Sequence, residues 1–404
     1  MLAAAALVLS LVAFTSDASA ADSKGKLKIF ILAGQSNMVG HCRAHTMATL
    51  FNLAGPKDKD LIKLVFKDDA KISKQIFDEQ VARAKKLDEL TGGISGKKIK
   101  AITDAAKKED AEAQATRMKA IHEAYKKDVA SSCVVSDRVY INGIADRNKK
   151  SGKLGVGYGG DPAKIGPEYT FGLSIAKKIE GPILLIKTSY GGRSLNYDFR
   201  PPSAGPYQLD EKQKNSGKGD EILKKAGHNY RSLNESIQAV LKNLKANHPA
   251  YDPKAGYEIA GFVWFQGFND QFSTSFKANY KDCMIAFIKD IRKEYKTPKM
   301  PFIIGVLGTS MTKEKVAENA ISVAQRQAAK APEFKGNVLA VESYTEYSLT
   351  SYKVYKSGWA DHYHHWDTVG SDRPYHYLGA GAFFARLGDS FATSMAKLIA
   401  NQKK

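Results

Sequence analysis

The sequence predicts an α/β chain: a three-layer α/β/α sandwich around a central parallel sheet of about five strands, with a helical insertion after the first strand. Three observations carry this. Short runs rich in Ile, Val, Leu and Phe and nearly free of charge recur along the chain, as in strands covered on both faces. Amphipathic helical stretches separate them, and strand alternating with helix is the pattern of a layered parallel sheet. One alanine- and lysine-rich stretch, about residues 52–130, interrupts that rhythm.

The strands expected, in order, are Lys28–Ala33, Pro182–Thr188, Ile259–Phe265, Pro301–Leu307 and Val338–Val341. Pro167–Ile179 opens with proline and keeps an apolar stripe, so it reads as a helix. Arg231–Ala246 places Leu233, Ile237, Val240, Leu241 and Leu244 on one face. Tyr280–Tyr295, Val316–Ala331 and Leu378–Ile399 read as helices on the same grounds. In the insertion, Ile76 to Leu90 and Ala111 to Val129 have helical period, and Gly92-Gly93 marks a bend. Its charges are mixed, so it is expected as a solvated helical hairpin rather than a binding arm.

At 404 residues and 43% hydrophobic content the chain can build a sizeable core. Residues 1–20 read as an export signal: Leu2 to Phe14 is apolar and small apart from Ser10, and Ala18-Ser19-Ala20 offers a cleavage site after Ala20. No Lys or Arg precedes the run, which departs from the usual pattern. Residues 21–404 are then the functional domain of an exported protein. Cys42, Cys133 and Cys283 allow one disulfide at most. Cys42 and Cys133 flank the insertion and are the pair to expect if one forms; three separate buried thiols are equally open. The net charge of +19, with pI ≈ 9.5, suits an acidic partner such as a polyanionic glycan. The basic residues are dispersed and no nucleic-acid-binding signature is present, so nucleic acid is not expected.

Four segments carry chemistry. Gly34-Gln35-Ser36-Asn37-Met38 directly follows the first strand. Glycine permits the sharp bend that presents a serine hydroxyl, and the following turn supplies free amides. Ser189-Tyr190-Gly191-Gly192-Arg193 follows the second strand, and its paired glycines let backbone amides approach an oxyanion. Trp264-Phe265-Gln266-Gly267-Phe268-Asn269-Asp270 closes the third strand with two side-chain amides, Gln266 and Asn269. Such neutral donors stabilise developing negative charge without titrating. Asp372-Arg373-Pro374-Tyr375-His376 precedes the last helix, where a His can reach the first strand's carboxyl end and an Asp can fix its tautomer. Gln35, Asn37, Arg193 and Trp264 stand in the same motifs as candidate substrate-binding side chains. Asp361-His362-Tyr363-His364 is a rival acid–base pair. The cluster His362, His364, His365 lies in an aromatic-rich loop with no second ligand cluster, so a metal is not expected there.

Together these blocks resemble the four ordered blocks of the SGNH (GDSL-like) hydrolases, whose sheet is flavodoxin-like. Gly-Gln-Ser-Asn with Trp-Phe-Gln-Gly is similar to the sialate O-acetylesterase branch of carbohydrate esterases, which includes acetylxylan esterases. Lys187-Thr188-Ser189-Tyr190-Gly191-Gly192-Arg193-Ser194-Leu195 and Phe199-Arg200-Pro201-Pro202-Ser203 also resemble that branch. The resemblance implies Ser36 as nucleophile and His376 as general base and then acid. It implies an oxyanion hole from the Ser36 amide, the Gly191 or Gly192 amide and Asn269, with Gln266 the alternative amide. The family usually has Asp three residues before His; here Asp372 to His376 is four, while Asp361 to His364 is three. Asp372 is the expected acid. The implied reaction is removal of an O-acetyl group from a glycan, without cofactor. Two other classes stand beside it: a non-catalytic glycan-binding protein on the same fold, and a lipid or thioester hydrolase, which would need a long apolar groove. The aromatic residues Tyr344, Tyr347, Trp359, Tyr363, Trp366 and Tyr375 suit sugar stacking or core packing.

Overall fold

In the computed structural model, residues 25–52, 55–94, 105–145 and 148–402 are described; the expected export signal, residues 1–20, lies outside them. Among the described residues, no helix is long and apolar enough to cross a membrane. The strands are β1 (Leu27–Gly34), β2 (Cys42–Arg43), β3 (Val139–Ala145), β4 (Lys149–Lys153), β5 (Lys164–Ile165), β6 (Ile183–Ser189), β7 (Tyr257–Phe265), β8 (Phe302–Val306) and β9 (Val338–Glu342). Seven form one sheet in the order β4-β3-β6-β1-β7-β8-β9; β2 and β5 pair separately. All sheet pairs are parallel except β3 with β4.

The five expected strands are all present, but the sheet has seven, which corrects the count. The two extra strands carry weak signals for physical reasons. β3 alternates buried and half-buried positions and contains Asn142 and Gly143. β4 is Lys-Lys-Ser-Gly-Lys on the sheet's edge, where lysines guard against further pairing rather than fill a core.

Helices cover both faces. On one, Phe30, Leu32, Leu185, Val263 and Phe265 pack with helices Glu168–Ala176 and Gly381–Gln402. On the other, Ile29, Ile31, Leu184, Ile186, Phe262 and Trp264 pack with helices His228–Leu241, Thr274–Glu294 and Ala320–Ala329. Alternate residues of one strand therefore feed opposite cores. Each large apolar side chain so buried contributes roughly 1.5–3 kcal/mol.

β1 lies mid-sheet between β6 and β7; the chain first builds β3, β4 and β6 on one side of it and then β7, β8 and β9 on the other. Such a switch point opens a crevice at the strands' carboxyl ends. Register makes the ends level: Gly34 stands opposite Ser189 of β6 and Phe265 of β7. The three loops that follow therefore leave the sheet at one height.

The insertion is not a solvated hairpin, contrary to the sequence reading. Helices Lys74–Thr91 and Ala105–Ser132 dock on helix Tyr363–Val369 through buried polar groups. Asp88 accepts from the His364 and His365 amides at 2.8 and 2.9 Å, capping that helix. Asp367 accepts from Lys126 Nζ at 3.0 Å, and His122 Nε2 lies 3.0 Å from the same oxygen. Gln80 Nε2 meets the other nitrogen of His122 at 2.6 Å, and His45 Nε2 lies 3.6 Å from Asp367 Oδ1. Burial opposes the Asp367 charge, but His122, His45 and Lys126 outweigh it and hold the carboxyl well below the usual range. Cys42, Cys133 and Cys283 are free, buried thiols, so the Cys42–Cys133 pair does not form here.

Candidate active site

The serine segment leaves β1 through Gly34. Its φ is +154°, and a Cβ there would stand 2.1 Å from the Phe265 carbonyl oxygen, so glycine is required. Ser36 begins a one-turn helix, Ser36–Val39, whose first amides have no intrahelical acceptor. The turn is held from below by Lys187, fully buried on β6. Its Nζ donates to the Val39 carbonyl (2.8 Å), the Tyr158 carbonyl (2.7 Å) and Glu168 Oε2 (2.7 Å). Burial pulls the Lys187 ammonium below its ordinary pKa, and Glu168 opposes that. All three of its donors are satisfied, the condition under which a buried charge is tolerated.

Gln35 is 1% exposed and faces the third motif rather than a ligand. Its Oε1 accepts from the Gly267 and Asn269 amides (3.1 and 3.3 Å), and its Nε2 donates to Asn269 Oδ1 (3.0 Å). It orients the Asn269 side chain. Asn269 Nδ2 donates one proton to the Gly192 carbonyl (3.0 Å), which joins the second and third motifs across the cleft. Asn37 is also buried; its Nδ2 donates to the Tyr375 carbonyl (3.1 Å) and ties the serine turn to the histidine loop.

Asp270, which the sequence reading left without a role, binds these loops together. It is fully buried and accepts from the Leu195 and Asn196 amides, from Asn196 Nδ2 and from Gln266 Nε2, at 2.6 to 3.1 Å. Gln266 is thereby excluded as an oxyanion donor: its other proton goes to the Arg193 carbonyl (2.9 Å) and its Oε1 accepts from Tyr280. Four candidate substrate-binding side chains likewise fall outside the cleft lining. Gln35 and Asn37 are buried scaffolding. Arg193 is exposed beside Asp198 at 3.4 Å, and Trp264 is core, with Nε1 on the Tyr280 hydroxyl (3.4 Å).

The histidine loop is unusually constrained. Tyr377 and Leu378 take φ of +50° and +65°, a left-handed geometry that costs non-glycine residues energy and needs support. Tyr377 supplies it. Its ring stacks on Phe383 at 4.0 Å, and its hydroxyl accepts from the Gly308 amide (2.9 Å) and meets Ser343 Oγ (2.9 Å). Just before it, His376 Nδ1 lies 3.1 Å from Asp372 Oδ1, close but off the line of a well-formed hydrogen bond. The Arg373 amide donates to the same oxygen (2.7 Å). Burial raises the Asp372 pKa, but His376, the Arg373 amide and His41 prevail and keep it below the usual value. The rival pair does not reach this place: Asp361 and its neighbours His362 and His365 border a separate cavity against the insertion.

Ser36, His376, Gly191, Gly192 and Asn269 line one open cleft of about 840 Å³. His41 lines it too, and the sequence reading did not single it out. His41, Asp372 and His376 bring ligand atoms within 4.8 Å of one another. The two imidazoles are nearly parallel, at 4°, so their in-plane lone pairs run side by side instead of converging as a metal requires. Of the aromatics considered for sugar stacking, Tyr347 and Trp366 are core, and Trp359 is covered by the Arg373 guanidinium at 4.0 Å. Tyr375 alone of them lines the cleft, where Phe268 lies 5.8 Å away and leads to Phe272, 72% exposed.

Residues 158–346 match the family described as carbohydrate esterase, sialic acid-specific acetylesterase. No curated protein matches the chain. Solved structures similar to it include a protein from Arabidopsis thaliana, at 14% identity and TM-score 0.38, covering 79% of this chain and 86% of that one. A carbohydrate acetylesterase from Xanthomonas citri follows at 10% identity and TM-score 0.36, with 78% of this chain and 49% of that one covered. NanS gives 11% identity and TM-score 0.35, with coverages of 80% and 78%. The matched stretch, 158–346, takes in the glycine-pair and Asn269 motifs, and over it the chain is similar to the carbohydrate esterases of the sialic acid-specific acetylesterase family.

Proposed function

We propose that this chain is an exported serine esterase that removes O-acetyl groups from a glycan by two-step acyl transfer. The observation that carries the reading is the meeting of Ser36, His376 and the Asn269 amide in one cleft, with Asp372 behind His376. His376 takes the Ser36 proton as Oγ attacks the ester carbonyl, and Asp372 holds the imidazole's tautomer and stabilises its charged form. The alkoxide sits among the Ser36 amide, the Gly191 or Gly192 amide and the second proton of Asn269 Nδ2, donors fixed before reaction. His376 returns the proton to the sugar oxygen, then activates the water that releases acetate. No step calls on a cofactor.

The cleft favours a sugar over a lipid chain. Its lining is mostly glycine and polar or charged side chains, including Asn148, Asp161 and Lys164. An acyl chain would need a continuous apolar channel. Tyr375, Phe268 and Phe272 give the C–H face of a pyranose an aromatic edge to rest on. The dispersed positive charge of +19 suits an acidic glycan.

Release of acetate from p-nitrophenyl acetate and from an acetylated glycan panel tests the reading. Ser36→Ala is expected to lower kcat by at least about 10³-fold on both. Retained activity in that variant sinks the assignment. Glycan retention by the wild type without turnover would instead favour a binding protein.

A further inference from the structure

His41 stands immediately after the serine turn, and its ring lies face to face with His376: centroids 4.1 Å apart, planes within 4°. Both Nδ1 atoms face Asp372, one on each carboxylate oxygen. His376 is 3.1 Å from Oδ1 and His41 is 3.5 Å from Oδ2. The backbone keeps this pairing in place. Ser371 Oγ accepts from the Arg43 amide (3.0 Å), and its single proton lies between the Gly379 carbonyl (2.9 Å) and the His41 carbonyl (3.3 Å), so the segment after the serine is stitched to the histidine loop. A Cβ on Gly379 would stand 2.9 Å from the His41 carbonyl oxygen, which leaves the two chains no room to part by a side chain's width.

We infer that His41 is a positioning residue for the base: its neutral ring covers one face of His376, steadies Asp372 through the second oxygen, and supports the imidazolium that forms as Ser36 is deprotonated. This rests on the reading of His376 as the base. Two physical points favour it. A cation over a neutral aromatic face is stabilised, more so when water is excluded from that face. And a stacked ring removes the rotation about χ2 that would carry His376 out of line with Asp372.

The role requires His41 to stay uncharged, and its surroundings see to that. His376 and Asp372 face it from the histidine loop, Lys164, paired with Asp161, from the 155–165 segment, and Lys187, paired with Glu168, from beneath. Burial first, then His376, lower its pKa to about 4, with Asp372 opposing.

Wild type, His41→Ala and His41→Phe separate the possibilities. Kinetics on p-nitrophenyl acetate are measured across about pH 4–8, and the His376 imidazole is titrated by ¹⁵N NMR without substrate. His41→Ala is expected to lower kcat about tenfold at unchanged KM, the worth of one such ring contact. Its His376 midpoint, in both the pH–rate profile and the NMR titration, should fall. His41→Phe keeps the ring face but not the contact with Asp372, and should recover part of the lost kcat and of the midpoint shift. Wild-type kcat and midpoint in His41→Ala overturn the inference, as does a His41→Phe variant no better than His41→Ala. If the wild type shows no Ser36-dependent hydrolysis, the catalytic reading fails, while the NMR titration still decides whether His41 acts on His376.

Discussion

At the scale of single residues, the cleft depends on side chains that never face a ligand. Gln35, Asn37 and Asp270 are buried, and each spends its hydrogen bonds on a neighbouring motif: Gln35 on Gly267 and Asn269, Asn37 on Tyr375, Asp270 on Leu195, Asn196 and Gln266. Asn269 differs because it is half-buried, lines the cleft and keeps one amide proton beyond its bond to Gly192. On the proposed mechanism Asn269→Ala removes one preorganised donor, and kcat is expected to fall by about 10²–10³ with KM little changed. Steady-state kinetics on p-nitrophenyl acetate check this; an equal rise in KM would make Asn269 a ground-state contact instead. The sequence shows which residue types sit at the strand ends. It does not show which of two neighbouring amides turns inward, because that is decided by Asp270 and Tyr280 reaching Gln266 from other elements.

At the scale of elements, apolar strands are legible in the sequence and the lysine-rich edge is not. β1, β6, β7 and β8 announce themselves because both faces are covered and their runs are mostly apolar, and β9, though on an edge, keeps the apolar run Val338-Leu339-Ala340-Val341. β3 and β4 hide because one is half-covered and the other is lysine on an edge. The insertion misleads for a different reason: helix surfaces rich in Lys and Glu look solvated, while its docking buries Phe77, Tyr125 and Val129 beside a polar cluster in which His122 and Lys126 meet Asp367 and Gln80 meets His122. Removing Asp367 would leave Lys126 and two histidines around a buried gap. Asp367→Ala is expected to cost about 3 kcal/mol, read by denaturant unfolding, with faster proteolysis within residues 55–132. A variant as stable as wild type would mean that the insertion is held by other contacts. The histidine loop teaches the same lesson in miniature. A spacing of four between Asp372 and His376 looks irregular in sequence, yet the left-handed Tyr377 and Leu378, held by Phe383 and Gly308, set the loop so that the two side chains meet.

At the scale of the whole molecule, buried histidines tie stability to acidity. Burial, chiefly, lowers His41, His364 and His365 from 6.5 to about 4. Each takes up a proton on unfolding within that window, so the unfolded chain binds more protons and stability rises with pH. The contribution is complete above about 6.5 and is lost as pH falls toward about 4. Unfolding midpoints measured across that range should therefore decline steeply on the acid side; a flat profile contradicts the burial of these rings. The same architecture places the sheet's switch point under the cleft, which is how four motifs far apart in sequence come to share it. The central claim is that Ser36 is the nucleophile on which this convergence acts. Intact-mass and peptide mapping after exposure to a fluorophosphonate, which reacts with activated serines, tests it most directly. One adduct on Ser36, absent from Ser36→Ala and strongly slowed in His376→Ala, is the predicted result; an unmodified Ser36 in a protein that still releases acetate would contradict it.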